Sequence, residues 1–261
     1  MKKRYLIFKI ILFVIIFGGS IFLLFFNPRL RIEKWQIIGT KLANKLNIEE
    51  LIETEMSKTW GPFYNNNFFI ALTRKNHLSK IIKEHFLEIK EVTISPNWDN
   101  QPFSHFSVSV QERDKEGIWC GDDITCYYYD DSGFLFSESA DSKGPFIVSI
   151  RDAASLDLSL GSSLGNENFV PNLAELYESF SDISNIIINT IEVINLNYDF
   201  IVKTNNNWNL YFDPNVSAKT QTEVFKGLLI QKKIKTEEEL QYIDLRIKNK
   251  AYVMRQALTG E

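Results

Sequence analysis

The sequence predicts an α+β protein with a single N-terminal transmembrane helix, then a βααββ domain, then a mixed α/β domain dominated by antiparallel sheet. Tyr5–Phe26 is an almost uninterrupted apolar stretch. Residues 32–113 switch between strand-like and helix-like hydrophobic periods. Residues 114–255 contain many short alternating segments, separated by Asp, Asn and Gly turns, with helical stretches between them. Residues 256–261 are a tail.

The apolar stretch is long enough to cross a hydrocarbon core of about 30 Å. No residue from Ile10 to Phe26 is charged, and Lys9 lies close enough to one end to reach the headgroups. A cleaved signal peptide would have a shorter apolar run that ends in small residues. Here the run continues to Phe26 with no Ala-x-Ala site after it. We therefore expect an uncleaved anchor over residues 5–26, behind a short cytoplasmic tail of residues 1–4.

Charge bias alone does not decide the orientation of this anchor. Residues 2–4 are Lys-Lys-Arg, which favours an amino end inside the cell, but Arg29, Arg31 and Lys34 follow on the other flank. The net charge of −4 gives no sign of a nucleic-acid-binding surface.

Residues 32–113 predict the element order β-α-α-β-β. Asn47 opens a capping box for the first helix, and the second helix starts near Asn76 with His85 on its inner face. The turn at 97–102 joins the last two strands. Strands are predicted at Ile32–Thr40, Glu91–Trp98 and His105–Gln111.

Residues 114–255 predict a second mixed domain. Asp130-Asp131-Ser132-Gly133 forms a turn between two aromatic strands, and Asn205–Asn207 forms a hairpin turn. Helices are predicted at Asn172–Ile183 and Ser217–Ile234. The strands that follow the aromatic pair are predicted at Phe146–Ile150, Ile186–Leu196, Phe200–Phe212, Tyr242–Ile247 and Ala251–Met254.

The two cysteines, Cys120 and Cys126, fall in a strand–loop–strand pattern. Cysteines that face each other across a hairpin come close enough to bridge, which would fit an oxidising compartment. Two reduced, half-buried cysteines are the alternative. A zinc site needs four ligands, and no second Cys or His pair occurs at ligand spacing.

The order β-α-α-β-β just after a membrane anchor resembles a POTRA domain, and EVTISPNWDNQPFSHFSVSVQER is similar to its paired closing strands. With YYYDDSGFLF and LQYIDLRIKNKAYV, the chain resembles the FtsQ/DivIB family of bacterial cell-division proteins. This resemblance implies a scaffold of the divisome and no enzyme. It places the anchor in the cytoplasmic membrane with the amino end inside and the body outside.

The resemblance also implies partners, namely FtsB-like and FtsL-like bitopic proteins, with other divisome members recruited through the POTRA domain. An open sheet edge near the carboxyl end could accept a partner strand. The alternative is that Asp244 and Arg246 pair with each other inside the fold. The predicted partner-binding residues are Tyr242, Ile243, Asp244, Leu245, Arg246, Ile247, Ala251, Tyr252, Val253, Met254 and Arg255.

No catalytic, cofactor-binding or metal residues are expected, and no small-molecule substrate. Gly161–Gly165 matches the G-x-S-x-G nucleophile motif, but all three histidines precede it in the chain. The carboxylate pairs Asp122-Asp123 and Asp130-Asp131 suggest a membrane-anchored cell-wall hydrolase as the alternative function. Both pairs sit at predicted turns, where Asp usually bonds to its own backbone.

Overall fold

A computed structural model of the protein describes residues 2–58, 66–98, 103–121, 125–141, 147–235 and 240–255. The chain divides into two compact units, Met1–Arg113 and Asp114–Glu261. Each unit combines helices with a β-sheet, so the predicted α+β class is confirmed.

The first unit begins with one long helix, α1, which covers Lys2–Phe26. Its Ile7–Phe26 portion is long and apolar enough to span a membrane, and it is not buried within the protein. The helix ends at Phe26, and Asn27 then caps a short 3-10 helix, Pro28–Leu30, by accepting the N–H of Arg29 at 3.0 Å.

The rest of the first unit has the predicted order β-α-α-β-β. Its elements are β1 (Lys34–Ile38), α2 (Lys45–Ser57), α3 (Phe68–His85), β2 (Ile89–Pro96) and β3 (His105–Glu112). Over these described residues the strands form a sheet in the order β1-β3-β2. The central strand β3 is parallel to β1 and antiparallel to β2.

The helices α2 and α3 begin at other asparagines than the sequence pattern predicted. Asn44, not Asn47, caps α2, with its side chain accepting a backbone N–H of the first turn at 2.9 Å. Asn67 caps α3, and Asn76 lies inside that helix. Asparagine is a good cap wherever it falls, so the residue type alone does not choose among neighbouring asparagines. Burial of Phe68 fixes the first turn of α3 against the core.

The inner sides of α2 and α3 pack against the sheet. His85 was predicted on the inner face of α3 but is exposed. The helix ends at this residue, beyond the last buried position, Ile82, so helical periodicity no longer implies burial there. The buried side chains of these helices and strands include Ile48, Ile52, Met56, Leu78, Ile82, Ile94, Phe106, Val108 and Val110.

Glu112, at the end of β3, holds the loop that precedes α2. Its carboxylate accepts the backbone N–H groups of residues 41–43 at 2.7 to 2.9 Å. Burial opposes ionisation of this group, but the three backbone donors outweigh that effect and keep the pKa of Glu112 below its ordinary value. The neighbouring Arg113 donates to the carbonyl of Leu87 at 2.9 Å. The Glu-Arg pair therefore ties together the loops at one end of the unit.

The second unit is built on a larger mixed sheet. Its elements are β4 (Gly117–Cys120), β5 (Cys126–Tyr129), β6 (Leu135–Ser139), β7 (Val148–Asp152), α4 (Phe169–Ser181), β8 (Ile188–Val193), β9 (Phe200–Thr204), β10 (Asn209–Phe212), α5 (Ala218–Ile230), β11 (Leu240–Asp244) and β12 (Tyr252–Arg255). Among the described residues the strand order is β12-β11-β10-β9-β8-β7-β4-β5-β6. Most pairs are antiparallel, whereas β4–β7, β7–β8 and β10–β11 are parallel. Helices α4 and α5 supply the long connections that β7–β8 and β10–β11 need.

An aromatic core fills the space between this sheet and the two helices. The largest buried side chains there are Trp119, Tyr129, Phe169, Phe200, Trp208, Phe212 and Phe225. Along β9 and β10, buried residues alternate with partly buried ones, so one face of the sheet is covered. Asn172 of α4 accepts the N–H of Ala218 at 2.6 Å and donates to the carbonyl of Pro214, which fixes the start of α5 against α4.

The two cysteines lie directly opposite each other on β4 and β5. Their Cα atoms are 4.1 Å apart, and Cys120 and Cys126 are joined by a disulfide. The sulfur atoms are therefore not thiolates available for a metal.

Candidate protein-binding edge

The strand β12 forms one edge of the sheet of the second unit. Among the described residues its strand partner is β11 alone. The antiparallel register places Tyr252 opposite Asp244, Val253 opposite Ile243 and Met254 opposite Tyr242. The segment predicted from sequence to bind a partner thus includes an edge strand.

One residue of β12, Val253, directs its backbone groups away from the sheet. The N–H of Leu245 bonds to the carbonyl of Tyr211 on β10, and successive residues of a strand point their N–H and C=O groups in opposite directions. Asp244 therefore faces β12, and its partner Tyr252 faces β11. The same alternation turns the N–H and C=O of Val253 outward, where an added strand could pair with them.

The side chains of β12 are unusually apolar for an edge strand. Tyr252 is 56% exposed and Met254 is 45% exposed. Val253 and the preceding Ala251 are partly buried and pack against the core of the unit. Natural proteins usually protect sheet edges with charges, prolines or short strands. β12 is short and ends at Arg255, but the exposed apolar side chains before Arg255 are typical of a surface that binds a partner.

The predicted residues on β11 and after it are mostly used inside the fold. Ile243 and Leu245 are buried. Arg246 donates to Asp244 through Nε at 3.0 Å and Nη2 at 2.6 Å, and through Nη1 to Asp199 at 2.9 Å. The internal pairing of Asp244 and Arg246 considered from the sequence is therefore present, with Asp199 as a third member that the sequence did not indicate.

This network shifts the pKa values of its members. The hydrogen bonds that Arg246 donates to the Asp244 carboxylate raise the pKa of Arg246 above its already high ordinary value, against a smaller opposing effect of burial. Burial favours the neutral form of Asp244, but the hydrogen bonds from Arg246 outweigh it and hold the pKa of Asp244 below its ordinary value. Both residues are charged at neutral pH and locked to each other.

Three other predicted partner-binding residues lie in different places: Tyr242 is on β11, Ile247 is in the loop after it, and Arg255 is at the end of β12. The ring of Tyr242 contacts that of Tyr211, and the Arg246 guanidinium lies 5.3 Å from the Tyr211 ring centroid. Ile247 was predicted as the last residue of a strand, but β11 ends at Asp244, and Ile247 is exposed in the turn that leads to β12. Arg255 donates to the carbonyl of Lys233 at 3.0 Å, which fastens the end of β12.

A groove lies beside the start of β12, and the sequence pattern did not reveal it. It has a volume of about 630 Å³ and is lined by one side of α5 and by the segment that enters β12. Glu223, Gly227 and Leu228 form its helical wall, and Ala251 and Tyr252 form the other. A Cβ added at Gly227 would meet nothing within 4 Å, so this glycine leaves the wall open. The one sequence signal that could have pointed to this groove was a glycine inside a predicted helix.

No protein-family model matches this chain, and no curated protein matches it. The geometry of the site is therefore the main support for any function.

The carboxylates proposed for sugar hydrolysis do not form an acid–base pair in the described part of the chain. Asp130 is buried, and its Oδ1 accepts the Ser132 N–H at 2.9 Å, the Ser132 hydroxyl at 2.6 Å and the Phe134 N–H at 3.0 Å. That is a turn-forming role. The pair Asp122-Asp123 lies outside the described residues. Among the described carboxyl groups, Glu55, Glu112 and Asp244 have pKa values held below their ordinary values, which is opposite to what a general acid needs.

The segment Gly161–Gly165 is a loop and does not form the strand–turn–helix of a nucleophile elbow. The carbonyl of Ser162 accepts the N–H of Leu135 at 2.9 Å, and Gly161 donates to the carbonyl of Leu135 at 2.8 Å. The loop that contains this motif therefore pairs, through backbone hydrogen bonds, with the start of β6. Asp141 lies close to Cys120 and Cys126, but with those sulfurs in a disulfide this group lacks metal ligands.

Proposed function

We propose that the protein is a single-pass membrane scaffold of the bacterial division complex, with no enzymatic activity of its own. In this proposal β12 receives a strand from a partner protein. The observation that carries it is an apolar, exposed edge strand with outward-facing backbone groups at Val253, next to a groove.

The membrane part of the proposal is supported by α1. The helix is long enough to span the bilayer and is not buried in the protein. We assign its amino end to the cytoplasm and the body to the outer side of the cytoplasmic membrane. The disulfide between Cys120 and Cys126 supports that side, because such bonds persist in oxidising compartments.

The choice of partner is supported by the resemblance to the FtsQ/DivIB family described above. The β-α-α-β-β order of the first unit agrees with a POTRA domain, which would recruit other division proteins. The resemblance makes FtsB-like and FtsL-like bitopic proteins the partners at the carboxyl-terminal strands. Strand addition gives affinity through main-chain hydrogen bonds, and side-chain pockets give specificity.

Two features of the edge define how a partner strand would bind. Its backbone would bond to Val253, while its side chains would meet Tyr252 and Met254 on the exposed face of β12. A chain that continues past Tyr252 would enter the groove beside α5. A partner with an extended segment next to a helix or turn would fill both.

The test is to mix the full chain, in detergent or nanodiscs, with tagged extracytoplasmic segments of FtsB-like and FtsL-like proteins from the same cell. We expect co-purification, and slower amide hydrogen exchange at residues 251–255 in the complex. Failure to bind either segment, or binding without protection at β12, would argue against the proposal.

A further inference from the structure

One end of the first unit is held next to the end of α1. The strands β1 and β3 are parallel and β2 is antiparallel to them, so the starts of β1 and β3 and the end of β2 lie together. The N–H of Ile32 donates to the carbonyl of Asn66 at 2.7 Å, and the N–H of Glu33 donates to that of Ser104 at 2.9 Å. The start of α3 therefore also belongs to this end, which we call the anchor-proximal end.

Asn67 joins the anchor-proximal end to α1 directly. This residue is buried, and its Oδ1 accepts the N–H of Phe69 at 2.8 Å as the cap of α3. Its Nδ2 donates to the carbonyl of Leu24, in the last turn of α1, at 3.0 Å. A single side chain thus satisfies a free carbonyl at the end of one helix and a free N–H at the start of another.

Two large aromatic side chains are exposed at this same end. Trp98 follows β2 and is 58% exposed, and Phe103 precedes β3 and is 41% exposed. Their ring centroids are 5.6 Å apart, and they lie 6.0 Å and 5.2 Å from the buried ring of Phe68. Phe68 directly follows Asn67, whose side chain bonds to the last turn of α1. The exposed rings of Trp98 and Phe103 therefore lie near the level where α1 ends.

An apolar cavity lies at this end as well. It has a volume of about 800 Å³ and is bounded by the last turn of α1 and the first turns of α3. Its apolar lining includes Leu24, Phe25, Phe69 and Leu72, with Arg74 and His77 along α3. A helix end that has just crossed a bilayer lies among lipid headgroups, so acyl chains are the apolar groups available at the cavity.

We infer that the anchor-proximal end of the first unit binds membrane phospholipid. An acyl chain enters the cavity between α1 and α3, and the rings of Trp98 and Phe103 lie in the headgroup region. Tryptophan is favoured at that depth because its ring is apolar and its N–H is polar. The inference rests on the membrane crossing of α1 in the proposed function, and it assigns the first unit a fixed position against the bilayer.

The first test uses the full chain in phospholipid vesicles, with acyl chains either brominated or unmodified. Bromine quenches nearby tryptophan, and the difference between wild type and Trp98→Phe isolates Trp98, because the other tryptophans are common to both. Bromination is expected to lower this difference signal, because a tryptophan ring in the headgroup region lies next to the acyl chains. Equal quenching of the two proteins would overturn the inference.

A matched control comes from the other end of the same unit. Leu46 is 71% exposed and lies near the end of β1, away from α1. Tryptophan placed there by Leu46→Trp, in the Trp98→Phe background, should add no lipid-dependent quenching, and equal quenching at both positions would overturn the inference.

Flotation of the same samples separates the two proposals. A chain that does not float with vesicles refutes the membrane anchor itself, and one that floats without Trp98 quenching refutes only the lipid contact of the first unit.

The second test examines the cavity with a phosphatidylethanolamine that carries a diazirine in one acyl chain. Irradiation should attach the lipid to residues 69–77 of α3 in addition to α1. Attachment confined to α1 would overturn the assignment of an acyl chain to the cavity.

Discussion

The two edges of the sheet in the second unit differ in how they meet solvent. At β6, the loop residues Gly161 and Ser162 bond to both backbone groups of Leu135, and Ser163 pairs with Phe134. The far half of β6 is Ser-Glu-Ser, which is polar and charged. At β12, by contrast, Tyr252, Val253 and Met254 are apolar, and no described residue pairs with the outer side of the strand.

This difference shows where the chain protects against strand addition and where it does not. Covering an edge with a loop and placing charge on it are common ways to prevent unwanted pairing. At β12, charge is confined to Arg255 at its end, and no strand or loop among the described residues pairs with its outer side, so we interpret the Tyr252–Met254 part of this edge as open to an added strand.

The largest expected effect is loss of partner binding when Val253 is replaced by proline. Val253→Pro removes an outward N–H and puts a ring where the partner strand must lie. We expect the affinity for the FtsB-like segment to fall at least about 100-fold, or about 2.7 kcal/mol. Isothermal calorimetry on the full chain measures this.

Val253→Ala is the matched control, since it shortens the side chain but keeps the N–H. It should bind within about tenfold of wild type. Tyr252→Pro is different in kind because Tyr252 faces β11, so it should lower the stability of the β11–β12 pair as well. If Val253→Pro binds as Val253→Ala does, strand addition at β12 is wrong.

The second effect concerns the protected edge. Asp130→Ala removes the acceptor of three hydrogen bonds in the turn before β6, including the one from the N–H of the partly buried Phe134. We expect the free energy of unfolding of the second unit to fall by about 2 kcal/mol, as measured by denaturant titration.

The neighbouring exposed residue gives the control: Asp131→Ala should change stability by less than about 0.5 kcal/mol. Partner binding by Asp130→Ala should persist wherever the unit stays folded. A protein that loses turnover of cell-wall glycan on this change, without loss of stability, would instead support the hydrolase alternative.

What the sequence could predict depended on whether the signal was local. Hydrophobic periodicity predicted the helices and strands of both units, and alternation along β3 predicted its buried side. The choice of Asn67 over Asn76 as a cap depended on core contacts, which no local pattern contains. Likewise Asp199 reaches Arg246 across 47 residues of chain, and the parallel pairing of β10 with β11 depends on the path of α5. The groove escaped prediction because its two walls are also brought together only by folding.

The third effect tests the charge network that supports β11. The native pKa of Asp244 is below its ordinary value, so the folded state holds its proton more weakly than the unfolded state. Its stabilisation is present above the unfolded pKa and is lost as the pH falls through the folded value. Wild type should therefore lose about 1 kcal/mol more stability than Arg246→Met between about pH 6 and about pH 3.

Arg151 provides the comparison, because it pairs with Asp141 at 3.0 Å on the surface. Arg151→Met should leave the pH dependence within about 0.5 kcal/mol of wild type, since exposed ion pairs contribute little. Equal pH profiles for wild type and Arg246→Met would show that the network does not stabilise the strand beside β12.

The smallest effect separates the groove from the edge strand itself. Gly227 lies inside α5 with open space at its Cβ position, so Gly227→Ala should raise the free energy of unfolding by about 0.5 kcal/mol through helix propensity. A methyl group barely enters the groove, so partner affinity should stay within about twofold. Gly227→Leu projects a larger side chain into the same space and should weaken binding several-fold with the helix intact. Wild-type affinity in Gly227→Leu would mean that the partner contacts β12 alone, and that the groove is not part of its surface.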